Sequence, residues 1–228
     1  MRSPKLALVS IAVALLAMGA AIWSAYQAPQ DVTEGIVQKI MYVHVPAALT
    51  TYLAFFVAFL ASIGFLVTKK RAWDRVGVSA VELGVLFCTL VLVTGPIWAK
   101  PVWGVFWTWD HRLTSTLILW LMYVGYLVVR TLAPEKATGA RWSAVVAIVG
   151  FLDVPIVHYS VRWWYTLHPP PKVFTKDKMN AGLEPEMAQA LWIAVFAFAV
   201  LFAALFFLRL AVETLGDRAE EERGEAVA

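Results

Sequence analysis

The stretch LWIAVFAFAVLFAALFFLRL, residues 191–210, contains a single charged side chain, that of Arg209. A helix of about 20 apolar residues crosses the hydrocarbon core of a bilayer, whereas a strand of a membrane barrel has about ten residues of alternating polarity. Lipid offers no hydrogen-bond partner to the backbone, so a run of this length has to satisfy its amides internally. The stretch therefore predicts a transmembrane helix.

Five further apolar runs have the same character, and the composition agrees with them. Hydrophobic residues make up 61% of the chain and charged residues 15%, whereas soluble domains carry about 25% charged residues. The six predicted spans are approximately residues 6–26, 44–68, 77–98, 113–131, 143–159 and 188–210. We expect an all-α polytopic membrane protein in which residues 1–228 form a single membrane domain. Residues 211–228 are expected to form a cytoplasmic tail, and its acidic part from Glu213 to Ala228 is expected to fray in solvent.

The positions of the basic residues predict the orientation in the membrane. With the N-terminus inside, 12 Lys and Arg residues lie in the inner segments and 7 in the outer ones, so the positive-inside rule places both termini in the cytoplasm. The totals of 19 basic and 16 acidic residues give no indication of nucleic-acid binding. A cleaved secretory signal is the alternative for the first run, although Trp23 and Tyr26 suit an interfacial belt. In both cases residue 27 emerges outside.

Missing motifs argue against two kinds of function. Cys88 is the only cysteine, so the sequence has no CxxCH heme-attachment site, no CxxC pair and no intramolecular disulfide. The sequence also lacks a GxxxxGK[ST] phosphate-binding loop. We therefore expect neither a c-type cytochrome nor an ATPase.

Histidine and tryptophan are concentrated on the predicted outer side. All four histidines lie there: His44, His111, His158 and His168. Eight tryptophans lie near the outer boundary and two near the inner one, whereas a symmetric aromatic belt would have comparable numbers at both interfaces. The eight are Trp23, Trp98, Trp103, Trp107, Trp109, Trp163, Trp164 and Trp192. This asymmetry indicates a function of the outer face beyond anchoring.

The segment richest in tryptophan is WGVFWTWDHRL, residues 103–113. If it is helical, Trp103, Phe106, Trp107 and Asp110 share one face, and Gly104 allows a flat ligand to approach Trp103. Aromatic rings stack on one another for about 0.5–1.5 kcal/mol beyond area burial, which makes the segment suitable for a porphyrin. A dense interfacial anchor is the alternative interpretation.

A porphyrin iron commonly takes neutral imidazole as its axial ligand. His44 and His168 are the best candidates, because each lies beside a span end and is followed within two residues by a proline, Pro46 or Pro169. The other two histidines remain competitors. A histidine near a membrane boundary is more often an ordinary hydrogen-bonded polar residue. The choice of His44 and His168 as ligands therefore depends on their position beside the tryptophan-rich segment.

Charged residues near these segments have two interpretations. Arg112, Arg162 and Lys100 are candidates for pairing with the propionates of heme through charge-assisted hydrogen bonds, against simple snorkelling at the interface. Asp110 is a candidate for orienting Arg112 or a histidine.

Two acidic residues lie within predicted spans. Asp153 is inside span five, where an uncompensated charge costs about 2.5–3.5 kcal/mol, so it should face other helices. Glu82 near the inner end of span three is expected to be compensated by Arg75.

Several motifs together resemble a known family. WGVFWTWD, residues 103–110, is similar to the WGxxWxWD signature of the heme-handling WWD proteins. Three further segments resemble one branch, the C component of cytochrome c maturation system I (the CcmC family): YVHVP at 42–46, TGPIWAKPVWG at 94–104 and SVRWWYTLH at 160–168. The resemblance covers the whole membrane region.

The resemblance implies a set of site residues. The axial ligands of a heme b iron, held by two histidines, would be His44 and His168. The heme platform and the contact with a partner chaperone would be Trp103, Gly104, Trp107, Trp109 and Asp110. The remaining heme-binding residues would be Arg112, Trp163 and Trp164. Departures from the family concern local hydrogen bonding: Pro169 stands where glutamine is frequent, and His111 and Thr116 replace other residue types.

The function implied by the resemblance is heme delivery for cytochrome c biogenesis. Such a protein, in the bacterial cytoplasmic membrane and in contact with its lipid, would present heme on the periplasmic face to the heme chaperone CcmE. The transporter subunits CcmA and CcmB and the small subunit CcmD would then help to release the loaded chaperone. A permease subunit is the alternative, suggested by Asp153 and Pro155 within a span, and a structural scaffold is a third possibility.

Overall fold

The computed structural model describes residues 4–168 and 183–227 of the chain. Every regular element in these ranges is a helix: α1 Pro4–Gln27, a 3-10 helix Ile36–Ile40, α2 Met41–Thr68, α3 Arg71–Trp103, α4 His111–Leu132, α5 Lys136–Phe151, α6 Asp153–Trp163 and α7 Pro185–Val227. Six helical segments are long and apolar enough to cross a membrane. The prediction of an all-α polytopic membrane protein with six spans is confirmed.

The six segments define two ends of a bundle, because successive spans run in opposite directions. The histidine end contains the start of α2, the connection between α3 and α4, and residues 160–168. The terminal end contains the start of α1, the connection between α2 and α3, and the last turns of α7. This arrangement assembles segments that are far apart in sequence.

Small residues allow α2 to pack tightly in the centre of the bundle. Ala47, Ala54, Ala58 and Ala61 recur on one face of α2, and each is at most 1% exposed. In membranes, small residues let helix backbones approach closely. Phe55 of α2 is part of the same core, and its ring stacks on that of Tyr123 with centroids 3.6 Å apart. A Cβ on Gly84 would lie 2.3 Å from the Phe55 ring, so only glycine fits there.

Span five is divided into two helices. α5 ends at Phe151 and α6 begins at Asp153, whereas a single run over 143–159 was predicted. Pro155 lies in the first turn of α6. Proline has no backbone N–H, and an N–H in this turn would have no partner within the helix. The Oδ2 atom of Asp153 is buried within the protein. This agrees with the expectation that the carboxylate faces other helices.

The C-terminal segment differs from its prediction. The part from Glu213 to Ala228 was expected to fray, but α7 continues as helix to Val227. The reason is ion pairing across the terminal end: Asp217 accepts hydrogen bonds from Arg71 and Arg75, both at 3.0 Å. Lys136 of α5 pairs with Glu220 in the same way.

The expected compensation of Glu82 by Arg75 is wrong. Glu82 accepts hydrogen bonds from Arg209 of α7, one of them at 2.7 Å from Nη2 to Oε1, while Arg75 donates to Asp217. Residues seven apart on a helix are separated by about 10 Å along its axis. Arg209 and Asp217 of α7 therefore serve as the partners of Glu82 and Arg75.

Candidate functional site

A cavity opens at the histidine end, between the 3-10 helix, α2, α3, α4, α6 and the segment that follows α6. It contains about 1650 Å³ of empty space, including the part at its open mouth. Five residues of the predicted set line it: His44, Trp103, Trp107, Arg112 and His168. The fold therefore brings together the two preferred iron ligands, two tryptophans of the WWD segment and the preferred cation.

His44 lies in the first turn of α2 and is held by α3. Its Nδ1 is 2.9 Å from the Oγ1 of Thr94. A Cβ added to Gly95 would lie 3.3 Å from the Cε1 of His44, so the glycine leaves the room that the imidazole occupies. Pro46 lies in the second turn of α2, because the helix begins at Met41, before the predicted start of the span. The ring is half-buried.

His168 lies beyond the end of α6, beside a row of aromatic rings. Its ring meets that of Trp103 edge to face, with centroids 6.4 Å apart, and Trp103 meets Trp98 in the same way at 5.0 Å. The indole nitrogen of Trp98 donates to Oε2 of Glu34 at 2.8 Å. Pro169, the proline that follows His168, lies outside the described residues.

The WWD segment does not form the helix that its spacing suggested. α3 ends at Trp103, and Gly104 follows with φ 81° in the left-handed region, which glycine adopts without strain. The next six residues are not helical. The predicted helical face through Trp103, Trp107 and Asp110 is therefore wrong. Trp107 nevertheless lines the cavity. The ring of Trp109 meets the ring of Trp107 edge to face, and Trp109 is 76% exposed.

Asp110 is the N-cap of α4. Its Oδ1 accepts hydrogen bonds from the backbone amides of Arg112 and Leu113, both at 3.0 Å, and its Oδ2 accepts one from the Thr108 hydroxyl at 3.2 Å. The first amides of a helix have no partner within it, and an aspartate cap satisfies them. The carboxylate thus bonds the backbone of Arg112 and fixes where α4 begins.

Replacing Asp110 tests this capping role. Asp110→Ala should lower the free energy of unfolding by about 0.5–2 kcal/mol, while Asp110→Asn should retain nearly all of it, because an asparagine oxygen caps a helix as well. Unfolding in mixed detergent micelles containing increasing SDS, followed by circular dichroism, measures both. If the asparagine variant were as unstable as the alanine variant, the negative charge and not the cap would be what matters.

Two hydrogen-bond donors in the cavity have no acceptor among residues 4–168 and 183–227. They are Nη1 of Arg112 and the indole Nε1 of Trp107, and both atoms are buried. A buried donor without a partner costs about 1–3 kcal/mol, more when it is charged. Their presence on the wall of one cavity points to an anionic or strongly accepting ligand.

The remaining predicted residues lie away from the cavity lining. Gly104, Trp109 and Asp110 belong to the α3–α4 connection, and Trp163 and Trp164 lie at the end of α6. Trp164 stacks on His111 with ring centroids 4.9 Å apart and an angle of 7°, and Trp163 stacks on Tyr159.

The histidine competitors are separated by the structure. His158 lines the cavity, and its ring meets Tyr52 edge to face at 6.4 Å, whereas His111 does not line it. Within the described ranges, no group of three or more His, Cys, Asp or Glu side chains has the spacing of a metal site. Sequence reasoning missed Thr94, Tyr52 and Glu34 as neighbours of the site, because a threonine or tyrosine within an apolar run resembles ordinary span composition.

Comparison with known proteins finds relatives over most of the chain. The family model described as "CcmC: Heme exporter protein C" matches residues 2–225. The heme exporter protein C of Bradyrhizobium diazoefficiens is 36% identical over 92% of this chain and 79% of its own length. That of Escherichia coli K12 is 35% identical over 91% of this chain and 81% of its own. A putative cytochrome c biosynthesis ccmC-like mitochondrial protein of Marchantia polymorpha is 36% identical over 81% of this chain and 74% of its own.

Proposed function

Because this chain belongs to the heme exporter protein C (CcmC) family, we propose that it binds heme b in the cavity at the histidine end and presents it to a partner protein. The family membership and the six spans make it a multi-pass membrane protein with a role in heme handling for cytochrome c biogenesis.

The observation that carries the proposal is the combination of two histidines and two unpartnered donors in one cavity. His44 and His168, which both line the cavity, would hold the heme iron through their imidazoles. Trp103 and Trp107 supply ring surface. Nη1 of Arg112 and Nε1 of Trp107 are suited to the propionates. The residues present therefore fit heme b.

The α3–α4 connection and the segment after α6 both contribute to the cavity wall, and together they form a rim that suits delivery to a partner. Trp109, Phe106 and Tyr165 expose 76%, 58% and 89% of their surfaces, and large exposed aromatic residues are typical of interface anchors. We assign the contact with the chaperone CcmE to this rim, with Gly104 and Asp110 shaping its backbone. CcmA, CcmB and CcmD are the further partners that the family membership suggests.

The charge distribution supports the orientation. The connections at the terminal end carry more basic residues than those at the histidine end, which by the positive-inside rule faces the periplasm. In this orientation both termini are cytoplasmic and the heme site opens outward. The protein acts by holding and handing over heme, and its residues perform no bond-breaking step.

Translocation across the bilayer is the second candidate, and one observation favours it. The break between α5 and α6 places Asp153 within span five with an unpartnered Oδ2, as judged from the described residues. Ionisable groups inside a membrane frequently mark a path for substrates. Vesicles that contain this chain alone and accumulate heme would favour the permease function.

Heme titration of the detergent-purified protein tests the proposal. The wild-type protein should give a Soret band that saturates with added heme. Arg112→Gln should weaken heme binding by about tenfold to a hundredfold, because a hydrogen bond to a charged group contributes about 1.5–3 kcal/mol. Heme dimethyl ester, which has no free propionate, should bind to both proteins with similar affinity.

Arg162→Gln is the matched control. Arg162 lies at the same end of the bundle, over the ring of Tyr159 at 5.7 Å, and does not line the cavity. Its replacement should leave the affinity unchanged. Equal heme affinity of the Arg112 and Arg162 variants would contradict the propionate assignment, and a wild-type protein without a saturable Soret band would contradict heme binding itself.

A further inference from the structure

The hydrogen bonds around Thr94 determine which nitrogen of His44 carries a proton. The Oγ1 of Thr94 lies 2.9 Å from His44 Nδ1 and 2.6 Å from the backbone oxygen of Leu90. A threonine hydroxyl has one proton and two lone pairs. One of these two contacts is therefore donated by Thr94, and in the other Thr94 is the acceptor.

The contact with Leu90 has to contain the threonine proton. Two oxygens 2.6 Å apart with no hydrogen between them would repel, whereas this distance is typical of an O–H···O hydrogen bond. Thr94 then accepts from His44, so Nδ1 carries the hydrogen. In a neutral imidazole only one nitrogen is protonated, which leaves the lone pair on Nε2.

We propose that Thr94 is a positioning residue that holds His44 in the Nδ1–H tautomer and leaves its Nε2 ready to bind the heme iron. The inference rests on the proposed function, since it concerns the same ligand. A histidine that binds a metal through one ring nitrogen almost always donates the N–H of its other ring nitrogen to an oxygen, which fixes the tautomer and the ring orientation. Here the oxygen belongs to a hydroxyl on a neighbouring helix.

Gly95 leaves space for the imidazole ring of His44. A Cβ at this position would lie 3.3 Å from His44 Cε1 and 4.0 Å from His44 Nδ1. Thr94 therefore binds one edge of the imidazole while Gly95 leaves space beside it. Both residues belong to α3, and His44 belongs to α2, so the packing of these two helices sets the direction of the ligand.

The wild-type protein without heme provides the first test. In protein labelled with ¹⁵N-histidine, two-bond ¹H–¹⁵N correlation spectra distinguish the two tautomers, and the signals of His44 are identified by their loss in His44→Ala. We expect the Nδ1–H form for His44. An Nε2–H form would overturn the inference, whatever the protein's affinity for heme.

Heme affinity provides the second test. Thr94→Val keeps the shape of the side chain but removes the acceptor, and it should weaken heme binding by about tenfold to a hundredfold, the range observed for residues that orient metal ligands. Thr94→Ser keeps the hydroxyl that accepts from His44 and should bind heme about as tightly as the wild type. In Thr94→Val the His44 signals should also become a mixture of tautomers.

Thr89→Val is the control. Thr89 lies on the same helix and bonds back to the oxygen of Val85 in the same way, at 2.8 Å, but its other partner is Trp120 and not a histidine. Its replacement should leave heme affinity and the His44 tautomer unchanged. If His44→Ala loses heme while Thr94→Val keeps both affinity and tautomer, the inference fails and the proposed function stands. If His44→Ala binds heme like the wild type, the ligand assignment fails.

Discussion

Replacing His44 or His168 by alanine is expected to reduce heme affinity by at least about a hundredfold and to shift the Soret band of any heme that remains. Residues that only orient a metal ligand contribute about tenfold to a hundredfold in affinity, so removal of a ligand itself should have a larger effect. Both histidines line the cavity, and the tryptophan rings there contribute too little to hold heme alone. Absorption spectra during heme titration measure the change.

His111→Ala is the control for this pair. His111 lies at the same end of the bundle but stacks on Trp164 and does not line the cavity. Its spectrum and affinity should match those of the wild type. Unchanged spectra in both His44→Ala and His168→Ala would contradict the ligand assignment. In that case His158, the third histidine in the cavity, would be the next residue to replace.

The sequence allowed the spans to be predicted because lipid imposes a simple rule on composition. Long apolar runs have to be helices, and their number and direction then determine which connections share an end of the bundle. That reasoning was sufficient to bring His44 and His168 to one end. Both histidines line one cavity together with Trp103, Trp107 and Arg112.

Local backbone geometry was harder to predict within the WWD segment. The spacing of its aromatic residues fits a helical face, but Gly104 ends α3 and Asp110 begins α4, so the residues between them leave the helix. A glycine and an aspartate at these positions are signals for a C-terminus and an N-cap. Applied to this segment, they would have predicted the break.

Contacts between distant residues could not be read from spacing. The bond between His44 and Thr94 joins residues 50 positions apart, and that between Arg75 and Asp217 joins residues 142 apart. Their geometry depends on the rotation of each helix about its axis, which apolar runs of this composition leave undetermined. The long helical extension of α7 went unpredicted for the same reason.

The ion pair between Asp74 and Arg130 should dominate the stability of the terminal end. Nη1 and Nη2 of Arg130 donate to Oδ1 and Oδ2 of Asp74 at 2.7 and 2.8 Å, and Arg71 adds a contact at 3.2 Å. The side chain of Asp74 is only 3% exposed. Removal of Arg130 leaves this buried carboxylate with only the longer contact from Arg71, and loss of one partner of a buried ion pair costs about 3–5 kcal/mol. Arg130→Met should therefore strongly destabilise the protein.

A double-mutant cycle separates the pair from its surroundings. In Asp74→Leu combined with Arg130→Met both charges are gone, so the double variant should be more stable than the sum of the single effects indicates. Unfolding in mixed micelles with increasing SDS gives the free energies of all four proteins. Lys136→Met is the exposed control: its side chain and that of Glu220 are 61% and 55% exposed, and exposed pairs contribute at most about 1 kcal/mol.

The same variants test whether the two ends of the bundle act independently. Asp74 and Arg130 lie at the terminal end, whereas every residue assigned to heme lies at the other end. Folded Arg130→Met protein should therefore bind heme with wild-type affinity at temperatures below its unfolding transition. Strictly additive single effects would contradict the buried-pair explanation. A loss of heme affinity in the folded variant would mean that charges at the terminal end influence the cavity through the helices that connect the two.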